Sequence, residues 1–292
     1  MGPEKELWVT KLVNLLLGKP AAALLVALGF HPSPAEPIPN HIAMELFLFL
    51  LLAIFFLWLR MRLSVERPGA AQQFMEILLT NPLRLGVRDM TDDFIGHGGQ
   101  QYIPMLGAIG IFILAANLIS LIPTLASPTA SYSVPCGCAI LVFIYYHSCG
   151  FRRHGGAKYG KHFLGPLPMM MRALGGLEGF VKWMALPIIT VVGLFMPLVE
   201  MFSHFARMIS LTARLWANML ASEVIYGLIL SLTVALSLFL ERLSPVGYLS
   251  VIIPFFGPVI FVALHIFVAF VQAFVFTILP VIYVSGAVAE QH

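Results

Sequence analysis

Two long stretches of the chain contain no charged side chain, and this feature constrains the fold most. No Asp, Glu, Lys or Arg lies between Asp93 and Arg152 or between Arg242 and Glu290. About 20 apolar residues are enough for a helix to cross a bilayer. Only 11% of the 292 residues are charged, against roughly 25% in an ordinary soluble domain. The sequence therefore disfavours a soluble globule and predicts an all-α, polytopic membrane protein.

Composition also argues against several classes of partner and cofactor. A net charge of +3 is small and scattered along the chain, so we expect no nucleic-acid partner. Cys136 and Cys138 form a C-x-C pair and Cys149 stands near His147. None of these matches a metal-site spacing, and the nine histidines contain no H-E-x-x-H motif. We expect no metal and no cofactor, with lipid and other membrane segments as partners.

The apolar runs predict about five membrane-embedded helices. Their expected bounds are Ile42–Leu59, Tyr102–Ile122, Ser133–Tyr146, Ile188–Leu240 and Val259–Val284. The fourth run exceeds fifty residues, and fifty residues of helix measure about 75 Å against roughly 30 Å of hydrocarbon. That helix must be steeply tilted, bent or divided in two, and the last helix is also long.

The remaining segments are more polar and predict surface structure. Glu4–Leu17 is predicted to be a short interfacial helix ended by Gly18, Lys19 and Pro20, and Ala21–Phe30 is a further apolar run. Residues 31–40 hold four prolines and predict an extended connector. Pro68–Asp93 is mixed and predicts one or two helices on the surface, and Gly150–Gly165 predicts a basic loop. We therefore divide the chain into an N-terminal region, 1–41, and a membrane domain, 42–292.

The distribution of basic residues predicts the orientation in the membrane. Lys and Arg concentrate in cytoplasmic loops. Five arginines lie between Arg60 and Arg88, and six basic residues lie between Arg152 and Lys182, whereas the opposite connectors carry only Arg242. The amino end is expected outside and the carboxyl end in the cytoplasm, with five crossings.

The fourth apolar run contains polar residues that need a compensating partner. Each intramembrane charge costs about 2.5 to 3.5 kcal/mol on insertion scales. At 100° per residue, several of these side chains lie within about 40° of Arg214 and form one polar stripe. The stripe consists of Glu200, Ser203, Arg207, Ser210, Arg214 and Asn218. His204 lies in the same run, and Glu223 falls on the opposite face. Function is the default interpretation of such charges.

Smaller polar groups interrupt two other helices. His265, Gln272 and Tyr283 share one face of the last helix, and Asn117 and Ser120 are spaced i, i+3 on the second. They are candidate lining residues of a wet path. Alternatively, the serines and Asn117 hydrogen-bond neighbouring helices, and His265 is a structural histidine.

These residues carry a family resemblance. The run Ser210–Met219, SLTARLWANM, with Glu223 resembles the S-L-x-x-R-L-F-G-N-M-x-A-x-E signature of subunit a of the F-type ATP synthase. Three further motifs agree, and the resemblance covers about residues 37 to 292. They are N-L-I-S-L-I-P at 117–123 followed by S-P-T-A, the stretch 150–166, and H-x-x-x-x-x-x-Q-A-F at 265–274. The chain departs from the pattern at Trp216, Ala217 and Ser222.

The resemblance implies an ion-translocating subunit with no ATP site of its own. Such a subunit forms two offset proton half-channels against the rotor c-ring and couples proton translocation to rotation and ATP synthesis. The implied partners are the c-ring, subunit b of the peripheral stalk and the remainder of the F1Fo complex. The ion is H⁺ or Na⁺, because the selecting carboxylate lies on the rotor. The location that fits is a bacterial cell inner membrane, with an organelle as the alternative.

The resemblance also assigns roles to residues. Arg214 is the stator arginine that faces the rotor carboxylate, and Arg does not deprotonate, so its neighbours must relay protons. The expected external half-channel consists of Glu223, His265, Asn218 and Gln272. The expected internal half-channel consists of Glu200, Ser203 and Ser210. Further lining residues are expected to be Asn117, Ser120, His204, Arg207 and Tyr283.

Two other functions remain as alternatives from the residues alone. A self-contained secondary transporter could bind a small charged solute with Glu200, Arg214 and Glu223, but such folds usually show paired repeats. A membrane anchor of a redox enzyme would need paired histidine ligands across two spans, and only His265 is deeply placed.

Overall fold

The computed structural model describes residues 7–27, 29, 37–96, 98–122, 125–156, 159, 179–243 and 249–289, and these contain helices and no strand. The α-helices are α1 Trp8–Ala27, α2 Asn40–Met61, α3 Ala70–Leu79, α4 Val87–Phe94, α5 Ile103–Leu118, α6 Ser133–His154, α7 Gly179–Leu243 and α8 Leu249–Val288. Short 3₁₀ helices lie at Gly99–Tyr102, Ile119–Leu121 and Pro128–Ala130.

Six of the described helices are long and apolar enough to cross a membrane: α1, α2, α5 with its flanking 3₁₀ turns, α6, α7 and α8. The hydrocarbon core of a bilayer offers no hydrogen-bond partners, so backbone N–H and C=O groups must bond to each other there, as they do within an α-helix. The all-α, polytopic membrane fold is thus confirmed, with two long C-terminal helices.

The predicted end of the first helix at Leu17 is wrong. α1 continues through Gly18, Lys19 and Pro20 to Ala27. An apolar run follows these residues, and in lipid its backbone N–H and C=O groups find hydrogen-bond partners only if the run stays helical. α1 also packs on α2, and the Asn14 side chain exchanges two hydrogen bonds with the backbone of Ile38, each 3.0 Å. This bond pair attaches the described end of the Pro-rich connector to α1.

The predicted end of the third membrane helix at Tyr146 is also wrong. α6 runs eight residues further, to His154, and ends at Gly155, whose φ is 76°. Arg152, Arg153 and His154 occupy its last turn, where positive charge interacts favourably with the free carbonyl groups. The first residues of the predicted basic loop are therefore helical.

The region 68–93 is predicted to form one or two helices, and it forms two, α3 and α4. α3 has no buried residue, whereas α4 buries Val87, Met90 and Thr91 against α5 and α8. α4 is therefore a part of the core rather than a purely surface element.

α7 is one continuous helix of 65 residues that contains Pro187 and Pro197. At 1.5 Å per residue it is about 97 Å long, so it cannot stand upright in a bilayer. Its packing face, defined by the buried residues His204, Leu211, Thr212, Leu215 and Met219, lies against α6 and α8.

The core lies between α5, α6, α7 and α8. Its fully buried side chains include Leu106, Ile113, Leu215, Phe276 and Val281. α5 and α8 pack closely at Gly110, where an added Cβ would overlap with the Thr277 hydroxyl oxygen. This core holds α7 by one face and leaves much of its remaining surface exposed.

Candidate functional site

The polar stripe of α7 runs beside its packing face. Ser210, Arg214 and Asn218 are exposed, and Ser203, Arg207 and Glu200 are half-buried. Leu211 and Leu215, one position after Ser210 and Arg214, are buried, and one helical position turns the side chain by about 100°. The stripe predicted from the sequence is therefore continuous and faces away from the core of this chain.

Arg214 lies in the middle of this stripe. Among the residues that the structure describes, none forms a hydrogen bond or an ion pair with its guanidinium group. A cation at membrane depth needs a partner or water. The exposed position leaves the guanidinium group accessible to a group on another subunit.

His265 on α8 has hydrogen-bond partners at both ring nitrogens. Its Nε2 lies 3.1 Å from the Asn117 carbonyl oxygen and 3.1 Å from the Ser120 hydroxyl, and its Nδ1 lies 2.6 Å from the Ser222 hydroxyl. A carbonyl oxygen only accepts, so Nε2 carries the proton in this arrangement. Nδ1 then accepts from Ser222 in the neutral ring and donates to it in the charged ring. Both protonation states of His265 keep the same partners.

Glu223 shares a small cavity with His265. The cavity has a volume of about 40 Å³ and is lined by Ser120, Leu121, Ser222, Glu223, Tyr226, Phe261, Val262 and His265. This volume suffices for a water molecule. Glu223 on α7 and His265 on α8 therefore line the same cavity, as the sequence predicts.

Ser222 is a site residue that sequence reasoning missed. It lies on the packing face of α7, five helical turns after His204, and contacts His265 directly. The available signal was its departure from the small residues usual at this position of the family. A hydroxyl in place of a smaller group places a polar partner beside a buried imidazole.

A buried network surrounds Asn117. Its Oδ1 accepts a hydrogen bond from the Thr129 hydroxyl at 2.8 Å, and Ser127 bonds Thr129 at 2.6 Å and the Ala116 carbonyl at 2.9 Å. The S-P-T-A motif therefore folds back onto the end of α5. Within the described part of the chain, Asn117 Nδ2 and Gln272 Oε1 are buried and lack a hydrogen-bond partner. Buried polar atoms of this kind are ordinarily satisfied by water.

A second cluster lies at the other end of the stripe. His204 Nδ1 lies 2.8 Å from the Tyr146 hydroxyl, and its Nε2 lies 3.5 Å from a carboxylate oxygen of Glu200. The Arg207 guanidinium lies 5.3 Å from the centre of the Tyr283 ring, a cation–π contact. Tyr283 therefore lies with the cluster around His204 rather than near His265.

Sequence reasoning also missed the aromatic partners of His204. Tyr146 and His147 stand on α6, and His147 Nδ1 lies 2.8 Å from the Tyr159 hydroxyl. Burial raises the pKa of Tyr159 to about 12, so its hydroxyl stays protonated at neutral pH. Tyrosines in an apolar span look like ordinary core residues, and only packing reveals their partners.

The described residues contain no group of three or more His, Cys, Asp or Glu side chains that could hold a metal ion. Both polar clusters are built instead from hydroxyl, imidazole, amide and carboxylate groups. Imidazole and carboxylate groups can take up and release protons, and hydroxyl and amide groups accept and donate hydrogen bonds.

Comparison with known proteins identifies the family of the chain. The family model for the ATP synthase A chain matches residues 42–285. ATP synthase subunit a of Koribacter versatilis is 36% identical over 288 residues, 98% of each chain. The same subunit of Solibacter usitatus is 36% identical over 270 residues, 92% of this chain and 95% of that protein. That of Desulfosudis oleivorans is 36% identical over 225 residues, 77% of this chain and 78% of that protein. With its apolar helices and bacterial relatives, the chain is a multi-pass membrane protein that belongs to the ATP synthase subunit a family.

Proposed function

We propose that the chain forms two offset proton half-channels that meet at Arg214 on the exposed stripe of α7. One observation carries this proposal: Arg214 is exposed and has no described partner, and it lies between two polar clusters on the same helix. His204 precedes it by about 15 Å along the axis, and Ser222 follows it by about 12 Å.

The role of Arg214 follows from its charge. A carboxylate that turns through lipid must be protonated, and one that meets Arg214 is favoured as the anion. At an effective dielectric constant near 20, a pair 4 Å apart gains about 4 kcal/mol, roughly three pKa units. Arg214 would thus force the rotor carboxylate to release its proton on one side and would block direct leakage between the half-channels.

The external half-channel consists of Glu223, His265, Asn218 and Gln272 in this proposal. Support comes from the cavity that Glu223 and His265 share and from Gln272 Oε1, which is buried and has no hydrogen-bond partner among the residues that the structure describes. The internal half-channel consists of Glu200, Ser203 and Ser210, and the Arg207–Tyr283 contact fixes the neighbouring helices there.

The partners and the orientation belong to the same proposal. The exposed apolar surface of α7, with Phe202, Ile209 and Val224, fits a rotor c-ring, and subunit b would hold the chain as part of the stator. The amino end lies outside and the carboxyl end in the cytoplasm, with α1 at the membrane interface and five crossings by α2, α5, α6, α7 and α8, and residues 42–292 form the membrane domain. A proton that crosses 100 mV then releases about 2.3 kcal/mol for rotation.

Replacement of Arg214 tests this function. Arg214→Ala is expected to abolish ATP-driven proton pumping in inverted membrane vesicles while the complex stays assembled, because the rotor carboxylate is no longer forced to discharge. Arg214→Lys is expected to fail too, because a lysine ammonium group deprotonates more readily than a guanidinium group and lacks its planar fork.

Arg62→Ala is the matched control. Arg62 stacks on Trp58 at the end of α2, with 5.2 Å between the guanidinium carbon and the ring centre, outside both clusters, so pumping should be unchanged. Normal pumping by Arg214→Ala would refute the proposed role.

A further inference from the structure

His204 differs from the residues of the polar stripe because it lies on the packing face of α7. Only 7% of its surface is exposed. Its nearest polar partner on another helix is the Tyr146 hydroxyl of α6, 2.8 Å from Nδ1. Glu200, one turn earlier on α7, lies 3.5 Å from Nε2. The imidazole therefore stands between a carboxylate near the stripe and the interior of the chain.

Within the part of the chain that the structure describes, the titratable and charged groups near His204 come from three helices and one connecting residue. α7 contributes Glu200 and Arg207. α6 contributes Tyr146 and His147, whose ring centre lies 5.0 Å from that of His204. α8 contributes Tyr283, 5.8 Å from the Tyr146 ring. Tyr159, hydrogen-bonded to His147, lies beyond them.

The arrangement repeats the chemistry of His265 on the other side of Arg214. In each case one imidazole nitrogen meets a hydroxyl group that can either donate or accept, so the ring keeps a partner when it gains or loses a proton. A purely structural histidine needs only partners that suit one protonation state. Two histidines whose partners suit both states, near opposite ends of one polar stripe, indicate equivalent proton-carrying groups on the two sides of Arg214.

We propose that His204 carries the proton between Glu200 and the α6 side of the internal half-channel, with Tyr146 as its positioning residue. This inference rests on the proposed function. When a proton moves toward the cytoplasm, the O–H bond of the Glu200 carboxylic acid breaks and a new N–H bond forms at Nε2 of His204. The Nδ1–H bond of the imidazolium then breaks and its proton passes to a water molecule on the α6 side, which leaves as hydronium, while the Tyr146 hydroxyl orients the ring. The ring returns to neutrality, and the reverse sequence serves uptake from the cytoplasm.

The pH dependence of pumping tests this relay. Inverted vesicles that carry the assembled ATP synthase expose the cytoplasmic side to the medium, so the medium pH sets proton supply to the internal half-channel. His204→Gln keeps polar atoms but cannot titrate. We expect ATP-driven pumping to fall about fivefold near pH 8 and less than about twofold near pH 6, because abundant protons reach Glu200 directly at low pH. Rates are expressed relative to the unmodified complex at each pH.

Two further variants separate a relay from a packing role. Tyr146→Phe keeps the ring and removes the hydroxyl at Nδ1, and a smaller loss with the same pH dependence is expected. His154→Gln replaces a histidine at the end of α6, outside the cluster, and should match the unmodified complex at every pH. If His204→Gln prevents assembly, Tyr146→Phe decides the question.

Pumping by His204→Gln at the unmodified rate, or reduced by one constant factor across the pH range, overturns the relay. The same holds if assembly fails and Tyr146→Phe leaves the pH profile unchanged. Arg214→Ala is measured in parallel. Normal pumping by that variant refutes the proposed function, whereas its failure beside a normal His204→Gln variant refutes only the relay.

Discussion

At the scale of single residues, the site depends on hydroxyl groups that face imidazoles. Ser222 bonds His265 Nδ1, and the Asn117 carbonyl and Ser120 occupy Nε2. A buried imidazole nitrogen without a partner costs about 1 to 3 kcal/mol. Ser222 thus lets His265 change protonation at Nδ1 without that cost.

Ser222→Ala is therefore expected to reduce ATP-driven pumping about fivefold and to alter its pH profile, because one protonation state of His265 loses its partner. Ser222→Thr keeps the hydroxyl and should retain most of the activity. Ser231→Ala is the control, because Ser231 is exposed and its hydroxyl bonds the Leu228 carbonyl of its own helix. Equal pumping by Ser222→Ala and Ser231→Ala would contradict the assigned role.

Glu223 and His265 are expected to act as one functional pair, because they share a cavity. His265→Ala and Glu223→Ala should each reduce pumping strongly without a passive leak. The double variant should be little worse than the worse single variant. Measurement of pumping and of passive proton leak in the three variants checks this. Losses that multiply in the double variant would show two independent groups.

At the scale of elements, the position of α8 against α5 sets the place of His265. The two helices approach closely because Gly110 has no side chain opposite Thr277, whose hydroxyl bonds the Ala273 carbonyl at 2.7 Å. An added Cβ would overlap with the Thr277 oxygen, so one methyl group must separate the helices or displace that side chain.

Gly110→Ala is expected to destabilise the folded subunit by about 1 to 3 kcal/mol and to lower the thermal stability of the purified complex. Thr277→Ala in the same chain removes the overlapping oxygen and should restore most of the loss. Gly137→Ala on α6 is the control, because its added Cβ meets nothing within 4 Å. Failure of Thr277→Ala to compensate would place the effect of Gly110→Ala elsewhere.

At the scale of the whole molecule, orientation decides which cluster meets which compartment. The basic residues predict that the end of α6 lies in the cytoplasm. We expect Gly156→Cys, in a chain without its native cysteines, to resist an impermeant maleimide added to intact cells and to react in inverted vesicles. Gly156 suits this test because it is exposed and does not share the positive φ of Gly155.

Ser133→Cys, at the opposite end of α6, should show the reverse labelling pattern. Ready labelling of Gly156→Cys from outside sealed cells would invert the orientation and would exchange the internal and external half-channels.

The misplaced ends of α1 and α6 show what the sequence of a single segment cannot predict, and α7 and α8 also begin nine and ten residues before their predicted starts, at Gly179 and Leu249. α1 passes through Lys19 and Pro20, and α6 includes Arg152 and Arg153. In both cases polar residues that usually end a membrane helix lie within it. The packing of α1 on α2 and the favourable charge at the α6 carboxyl end extend the helices.

The amino-acid sequence by itself determined the membrane class, the polar stripe around Arg214 and the family. Apolar length, charge and helical spacing are local properties, so they can be read along one segment. Only the tertiary structure decided that Ser222 meets His265 and that Tyr146 meets His204. These partners lie 43 and 58 residues apart and belong to different helices. Their contact depends on how the helices pack, and side-chain packing is not a property of any single helix.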